Sequence, residues 1–148
     1  MLMNSNEYIE IIETIKGEIR GAQYKAALSV NRELIMLYYH IGMVINEHKT
    51  WGSKFIENLA ADIRISFPNV KGYSVRNLKY MAKFAETYPD ESFVQQAVAQ
   101  IPWGHTTVLL DKFSDDTVRN WYLNKTIENG WSRNVLIHQI ESGLYERQ

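Results

Sequence analysis

Residues 68–87 read Pro68-Asn69-Val70-Lys71-Gly72-Tyr73-Ser74-Val75-Arg76-Asn77-Leu78-Lys79-Tyr80-Met81-Ala82-Lys83-Phe84-Ala85-Glu86-Thr87. Pro68 and Gly72 interrupt whatever precedes them, and Ser74 carries the side chain to cap a new helix at its first free N–H groups. Val75, Leu78, Met81, Ala82 and Ala85 then recur at helical spacing and share an apolar face. Arg76, Lys79, Tyr80 and Lys83 fall on a separate face, with Asn77 and Phe84 on its far flank, and no acid appears before Glu86. The helix is expected to run to about Thr87, where Tyr88-Pro89 stops it.

The stretch before it reads as a shorter partner. Ser53 is placed to cap a helix to about Phe67, with Phe55, Ile56, Leu59, Ala60 and Ile63 on the inner face. Two short amphipathic helices joined by a glycine-containing turn outline a helix-turn-helix. Further towards the N-terminus, Tyr8, Ile12, Ile15, Ile19, Ala22, Ala26, Val30, Leu34, Leu37 and Ile41 recur at three- and four-residue steps. Asn4 and Glu7 have capping-box spacing at its start. Gly17 and Gly21 weaken this helix by about 1 kcal/mol each relative to alanine, so a bend or break is expected there. Trp51-Gly52-Ser53 ends it. The stripe has two readings: a long helix packed on the rest of the domain, or a coiled-coil-like dimer seam.

On the C-terminal side, residues 89–100 read as loop and a short helix. Trp103-Gly104-His105 opens another, ending near Phe113. Ser114-Asp115-Asp116 caps a helix to about Asn129, its acids favouring the helix dipole. Gly130-Trp131 turns the chain, and Ser132 caps a last helix over 133–142 with Leu136, Ile137 and Ile140 on its apolar face. No stretch alternates like a strand. The expected fold is therefore all-α: a long N-terminal helical region for dimerisation or packing (1–51), a helix-turn-helix-like unit (52–88) and a C-terminal helical unit (89–148), together one compact domain. Gly72-Tyr73-Ser74-Val75-Arg76-Asn77-Leu78 is echoed by Gly130-Trp131-Ser132-Arg133-Asn134-Val135-Leu136. The echo reads either as a second helix-turn-helix-like unit or as two good helix starts that look alike.

Composition excludes several classes. The chain has 148 residues, 45% hydrophobic and 22% charged, values of a folded globular protein rather than a disordered one. With no cysteine, disulfides, thiolate metal sites and cysteine nucleophiles are excluded. The longest apolar run, Leu34 to Tyr39, is far too short to span a bilayer. Met1–Glu7 lacks the basic and apolar regions of a signal peptide, so a cytoplasmic protein without membrane contact is expected.

Charge is unevenly spread. Residues 52–84 carry six basic side chains against two acids, while residues 85–148 carry five against nine. Local rather than net charge attracts a polyanion, so the basic middle points to nucleic acid. Cations neutralise phosphates, and Arg or Asn can read base edges. Arg76, Asn77, Lys79, Tyr80 and Lys83 are therefore the candidate contacts, with Lys54, Lys71 and Arg133 as additional ones. Set against this is a plain solvated helix face, although such faces usually alternate cations with acids. No catalytic set emerges. The histidines lack metal-ligand spacing, His138 and Glu141 alone make a weak pair, and no phosphate loop or nucleophile elbow is present. No metal, cofactor or small-molecule substrate is expected.

Several blocks together resemble the N-terminal domain of the YhcG-like bacterial nucleases. They are Asn31-Arg32-Glu33-Leu34-Ile35 with Leu37-Tyr38-Tyr39-His40-Ile41-Gly42, the run Gly72 to Met81, Ile101-Pro102-Trp103-Gly104-His105, Trp121-Tyr122, and Glu128-Asn129-Gly130-Trp131-Ser132. The resemblance runs from about Tyr8 to Gln148. It implies a helical DNA-binding or targeting module that precedes a PD-(D/E)xK nuclease domain, whose carboxylates and lysine have no counterpart here. The expectation is a non-catalytic module that binds duplex DNA, is a homodimer and serves an attached nuclease or other effector. The alternative is a protein-interaction or homodimerisation module that never touches nucleic acid.

Overall fold

In the computed structural model, which describes residues 5–148, the chain is all-α. Seven α-helices and no strand occur among the described residues: α1 (Ser5–Glu47), α2 (Ser53–Ser66), α3 (Val75–Thr87), α4 (Glu91–Gln96), α5 (Trp103–Lys112), α6 (Asp116–Asn129) and α7 (Arg133–Glu141). Short 3-10 turns at Lys49–Trp51 and Val98–Gln100 follow α1 and α4. The helix starts are made by short polar side chains that accept N–H groups the first turn leaves unpaired. Ser74 accepts from the Asn77 N–H over 3.1 Å and Ser132 from the Val135 N–H over 3.2 Å, while Asp90 and Asp115 do the same for α4 and α6. At α2 the expectation fails by one residue. Gly52, with φ at 76°, holds the N-cap position, and Ser53 is already helical. The expected Asn4–Glu7 box begins outside the described residues.

α3 lies at the centre. Leu78, Met81 and Phe84 on it are fully buried. Phe84 thus belongs to the core rather than to a flank of the basic face. It meets Tyr39 and Trp103 edge-on, with ring centroids 5.3 and 5.4 Å apart. α1 crosses α3 at Gly42, where the Met81 carbonyl occupies the space a β-carbon would need. Ile35, Tyr39, Phe84, Tyr88, Leu109, Tyr122, Leu123 and Leu136 form the main core, and a second cluster joins Tyr38, Ile45, Ala60, Leu78 and Met81. Arg119 is buried in the main body, bonding the Tyr88 hydroxyl, the Phe113 carbonyl and Asp116. Burial pushes the Tyr88 phenol up, opposed by its bond to Arg119.

α1 is one unbroken helix of 43 residues, with no interruption at Gly17 or Gly21. At 1.5 Å per residue it is about 65 Å long. It carries two different apolar faces. Asn31, Ile35, Tyr38, Tyr39, Gly42 and Ile45 turn to the body, and the Asn31 amide donates to the Ala99 and Ile101 carbonyls. The long stripe read from the sequence lies on the other face. Tyr8, Ile15, Ile19, Val30, Leu34 and Leu37 are exposed, and only Ile12 and Ile41 are half-buried. From Asn6 to Ala27 every side chain except Ile12 is exposed. Packing of this stripe on the rest of the domain is therefore not what the fold does.

The echoed segments share their caps but not their glycines. Gly130 closes α6 in the left-handed conformation, as the sequence implies. Gly72 also has positive φ, 107°, but α2 has already ended at Ser66.

Candidate nucleic-acid interface

The buried side of α3 fixes what its other side can offer. With Leu78, Met81, Phe84 and Ala85 inward, Arg76, Lys79 and Lys83 point out and are exposed. Lys49 pairs with Glu86 over 3.3 Å, so the first acid on α3 is already met by a cation from another element. Among the described residues, Arg76, Lys79 and Lys83 enter no ion pair. They remain a row of positive charge along two turns.

The expected contacts do not all stay available. Asn77 is committed inside the protein. Its amide donates to the Gly72 carbonyl over 2.5 Å, and its carbonyl oxygen accepts from the Trp103 indole N–H over 2.7 Å. A base-reading role for it would break both bonds. Tyr80 is half-buried and donates its hydroxyl to Asp111 over 2.6 Å. The Arg76 guanidinium stands 5.7 Å from the Tyr80 ring centre. Its bond to Tyr80 holds its pKa above the ordinary value, with Asp111 contributing more weakly. Lys79 and Lys83 are the uncommitted pair.

Two clefts flank the row. One, about 330 Å³, lies between α3 and α5 and is lined by Arg76, Tyr80, Trp103, Asp111 and Arg133. Gly104 leaves room for the stem of Arg133, which brings this distant arginine beside Arg76. The second lies against the end of α1 and is lined by His48, Lys49, Phe55, Lys79 and Lys83. At its rim the Trp51 ring stacks on His48 with centroids 4.2 Å apart and is well exposed. Sequence reasoning took Trp51 only as a helix stop, yet an exposed indole next to lysines is a surface for stacking a base. Lys71 lies in the connection before α3, lining the elbow with Arg64. Lys54 is exposed on the first turn of α2.

The α2–α3 pair departs from the expected outline in its connection. Residues 67–74 separate the helices, whereas a helix-turn-helix joins them with about three or four residues. No group of acids and histidines that could hold a metal occurs among the described residues. Among them, no helix is long and apolar enough to cross a membrane. His105 is buried and donates from Nε2 to the Trp131 carbonyl over 2.8 Å, tying α5 to the turn before α7.

Compared with known protein families, the chain matches the one described as the DUF1016 N-terminal domain, over residues 14–147. None of the curated proteins or solved structures compared matches the chain.

Proposed function

The chain belongs to the DUF1016 N-terminal domain family, and from that premise we propose that it is a non-catalytic module that binds duplex DNA and positions a nuclease or other effector. The observation that carries this reading is the α3 row, in which Arg76, Lys79 and Lys83 are exposed with no acid paired to them. Phosphates are the natural counter-charge for such a row. Arg133 extends it across one cleft, and Trp51 borders the other. The PD-(D/E)xK domain implied by the resemblance supplies the effector, while this chain supplies address rather than chemistry.

The test is an electrophoretic shift series on duplex DNA at several salt concentrations, with single-stranded DNA and RNA in parallel. Contact with three to five phosphates gives a log–log salt slope of about −3 to −4.5. Binding should be tighter to duplex than to single strands, with no cleavage in either the presence or the absence of Mg²⁺. Affinity indifferent to salt, or no binding at about 50 mM salt, overturns the proposal.

A further inference from the structure

α1 presents an apolar face that its own fold leaves in water. Tyr8, Ile9, Ile11, Ile15 and Ile19 are each 45–57% exposed, and Val30 is 70% exposed. An isolated helix with two glycines in its middle is marginal in water, because helical stability in proteins comes mainly from packing of the apolar face. The face therefore calls for a cover, and the sequence along it indicates which.

Tyr8, Ile12, Ile15, Ile19, Ala22, Ala26, Ser29 and Glu33 follow one another at alternating steps of four and three, the spacing of a coiled-coil seam. Bulk along this seam is graded: isoleucine fills its first half, and alanine and serine its second. A parallel pair would set isoleucine on isoleucine at one end and leave alanine facing alanine at the other. An antiparallel pair in one register removes both faults. Ile19 then lies opposite Ala22 of the second copy, Ile15 opposite Ala26, and Ile12 opposite Ser29. Large meets small at each of these layers, as close packing requires.

Charge agrees with the same register. Glu18 and Lys25 occupy flanking positions on one side of the seam, and this register brings Glu18 of each copy beside Lys25 of the other, twice over. The seam faces away from the side on which Asn31, Ile35 and Ile45 hold the body, so the partner helix has room.

We propose that α1 pairs antiparallel with α1 of a second copy of this chain, with Ile19 of each opposite Ala22 of the other. This pairing is independent of the DNA reading, since it uses no residue of the α3 row.

The chain contains no cysteine, so introduced thiols report the register cleanly. Light scattering of the full chain at about 100 μM should give the mass of a dimer, because mass action favours association at high concentration. Ile15→Cys and Ala26→Cys, mixed and oxidised, should cross-link to each other within the dimer, and neither should cross-link efficiently to itself. Ile19→Asp should weaken the dimer roughly a hundredfold or more by placing a carboxylate in the seam. Its urea midpoint measured at low concentration, where parent and variant are both monomeric, should match the parent's, since the buried core does not include this face. A monomer at that concentration overturns the proposal, including the case in which DNA or a different protein covers α1. Efficient self-linking of Ile15→Cys overturns it in favour of a parallel pair. A dimer in which the mixed thiols do not link places the interface elsewhere and overturns it too.

Discussion

The Trp103 indole N–H donates to the Asn77 side-chain oxygen over 2.7 Å, so the first turn of α3 is pinned to the first turn of α5. The same amide donates to the Gly72 carbonyl, holding the loop before Ser74 in place. Asn77→Ala should therefore leave the Trp103 N–H and the Gly72 carbonyl without these partners, and an unsatisfied buried polar group costs about 1–3 kcal/mol. The expected outcome is a lower midpoint in urea with an unchanged m-value, and DNA affinity that falls only as the folded fraction falls. A variant of normal stability with specifically weakened binding would return Asn77 to the interface.

The row on α3 separates in the opposite sense. Lys79 and Lys83 are exposed and unpaired, and substitutions at such sites usually stay within about 0.5 kcal/mol. Lys79→Ala with Lys83→Ala should keep the melting temperature within a few degrees. Loss of two phosphate contacts should still flatten the salt slope by about 2 and lower affinity roughly tenfold at moderate salt. Arg76→Ala should lose affinity too, and it also removes the contact with the Tyr80 ring. Titration of both variants on one duplex distinguishes the two cases. Unchanged affinity and slope in the double variant would make the row an ordinary solvated face.

The positions of the helices were legible because their stops and starts are local. Ser74 and Ser132 cap where their spacing from the apolar periods predicts, since a cap needs only a short polar side chain and three following N–H groups, while α6 starts one residue later than two acids in its first turn would have it, with Asp115 itself as the cap. Which face of α1 is buried was not legible. Ile35, Tyr38, Tyr39 and Ile45 compete in the sequence with an equally periodic stripe, and periodicity records an apolar face without saying what covers it. The site was half legible for the same reason. The exposed cations follow from helix spacing alone, but the partners of Asn77 and Tyr80 come from Trp103 and Asp111, on a helix more than twenty residues away. The turn at Gly130 is a local signal, but that it delivers Arg133 to the cleft beside Arg76 depends on how α7 packs on α5, which no local pattern records.

Gly42 marks a place where the body of the fold has no room to give. A β-carbon there would overlap the Met81 main-chain carbonyl, and backbone cannot rotate aside as a side chain can. Gly42→Ala should force α1 and α3 apart and disturb both core clusters, because Met81 and Ala85 lie at this crossing. Overpacking of this kind typically costs about 1–3 kcal/mol. Thermal unfolding should show a fall in midpoint of several degrees or more. A variant as stable as the parent would mean that the two helices do not meet at Gly42.

Gly17 and Gly21 give the reverse case on the same helix. Nothing lies within 4 Å of where a β-carbon would stand at either position. Both also fall on the outer side of α1, away from the seam of Ile12, Ile15 and Ile19. Alanine is favoured over glycine in a helix interior by about 0.8–1 kcal/mol, since glycine has more backbone freedom to lose. Gly17→Ala with Gly21→Ala should therefore raise the far-UV helix signal at the temperatures where α1 begins to fray. If α1 pairs with a second copy, the same change should tighten the dimer, because less ordering is left to be done on association. Sedimentation equilibrium and thermal circular dichroism on the double variant measure both effects. A loss of helix, or a weaker dimer, would show that the glycines serve a close approach of another chain on the face assigned to solvent.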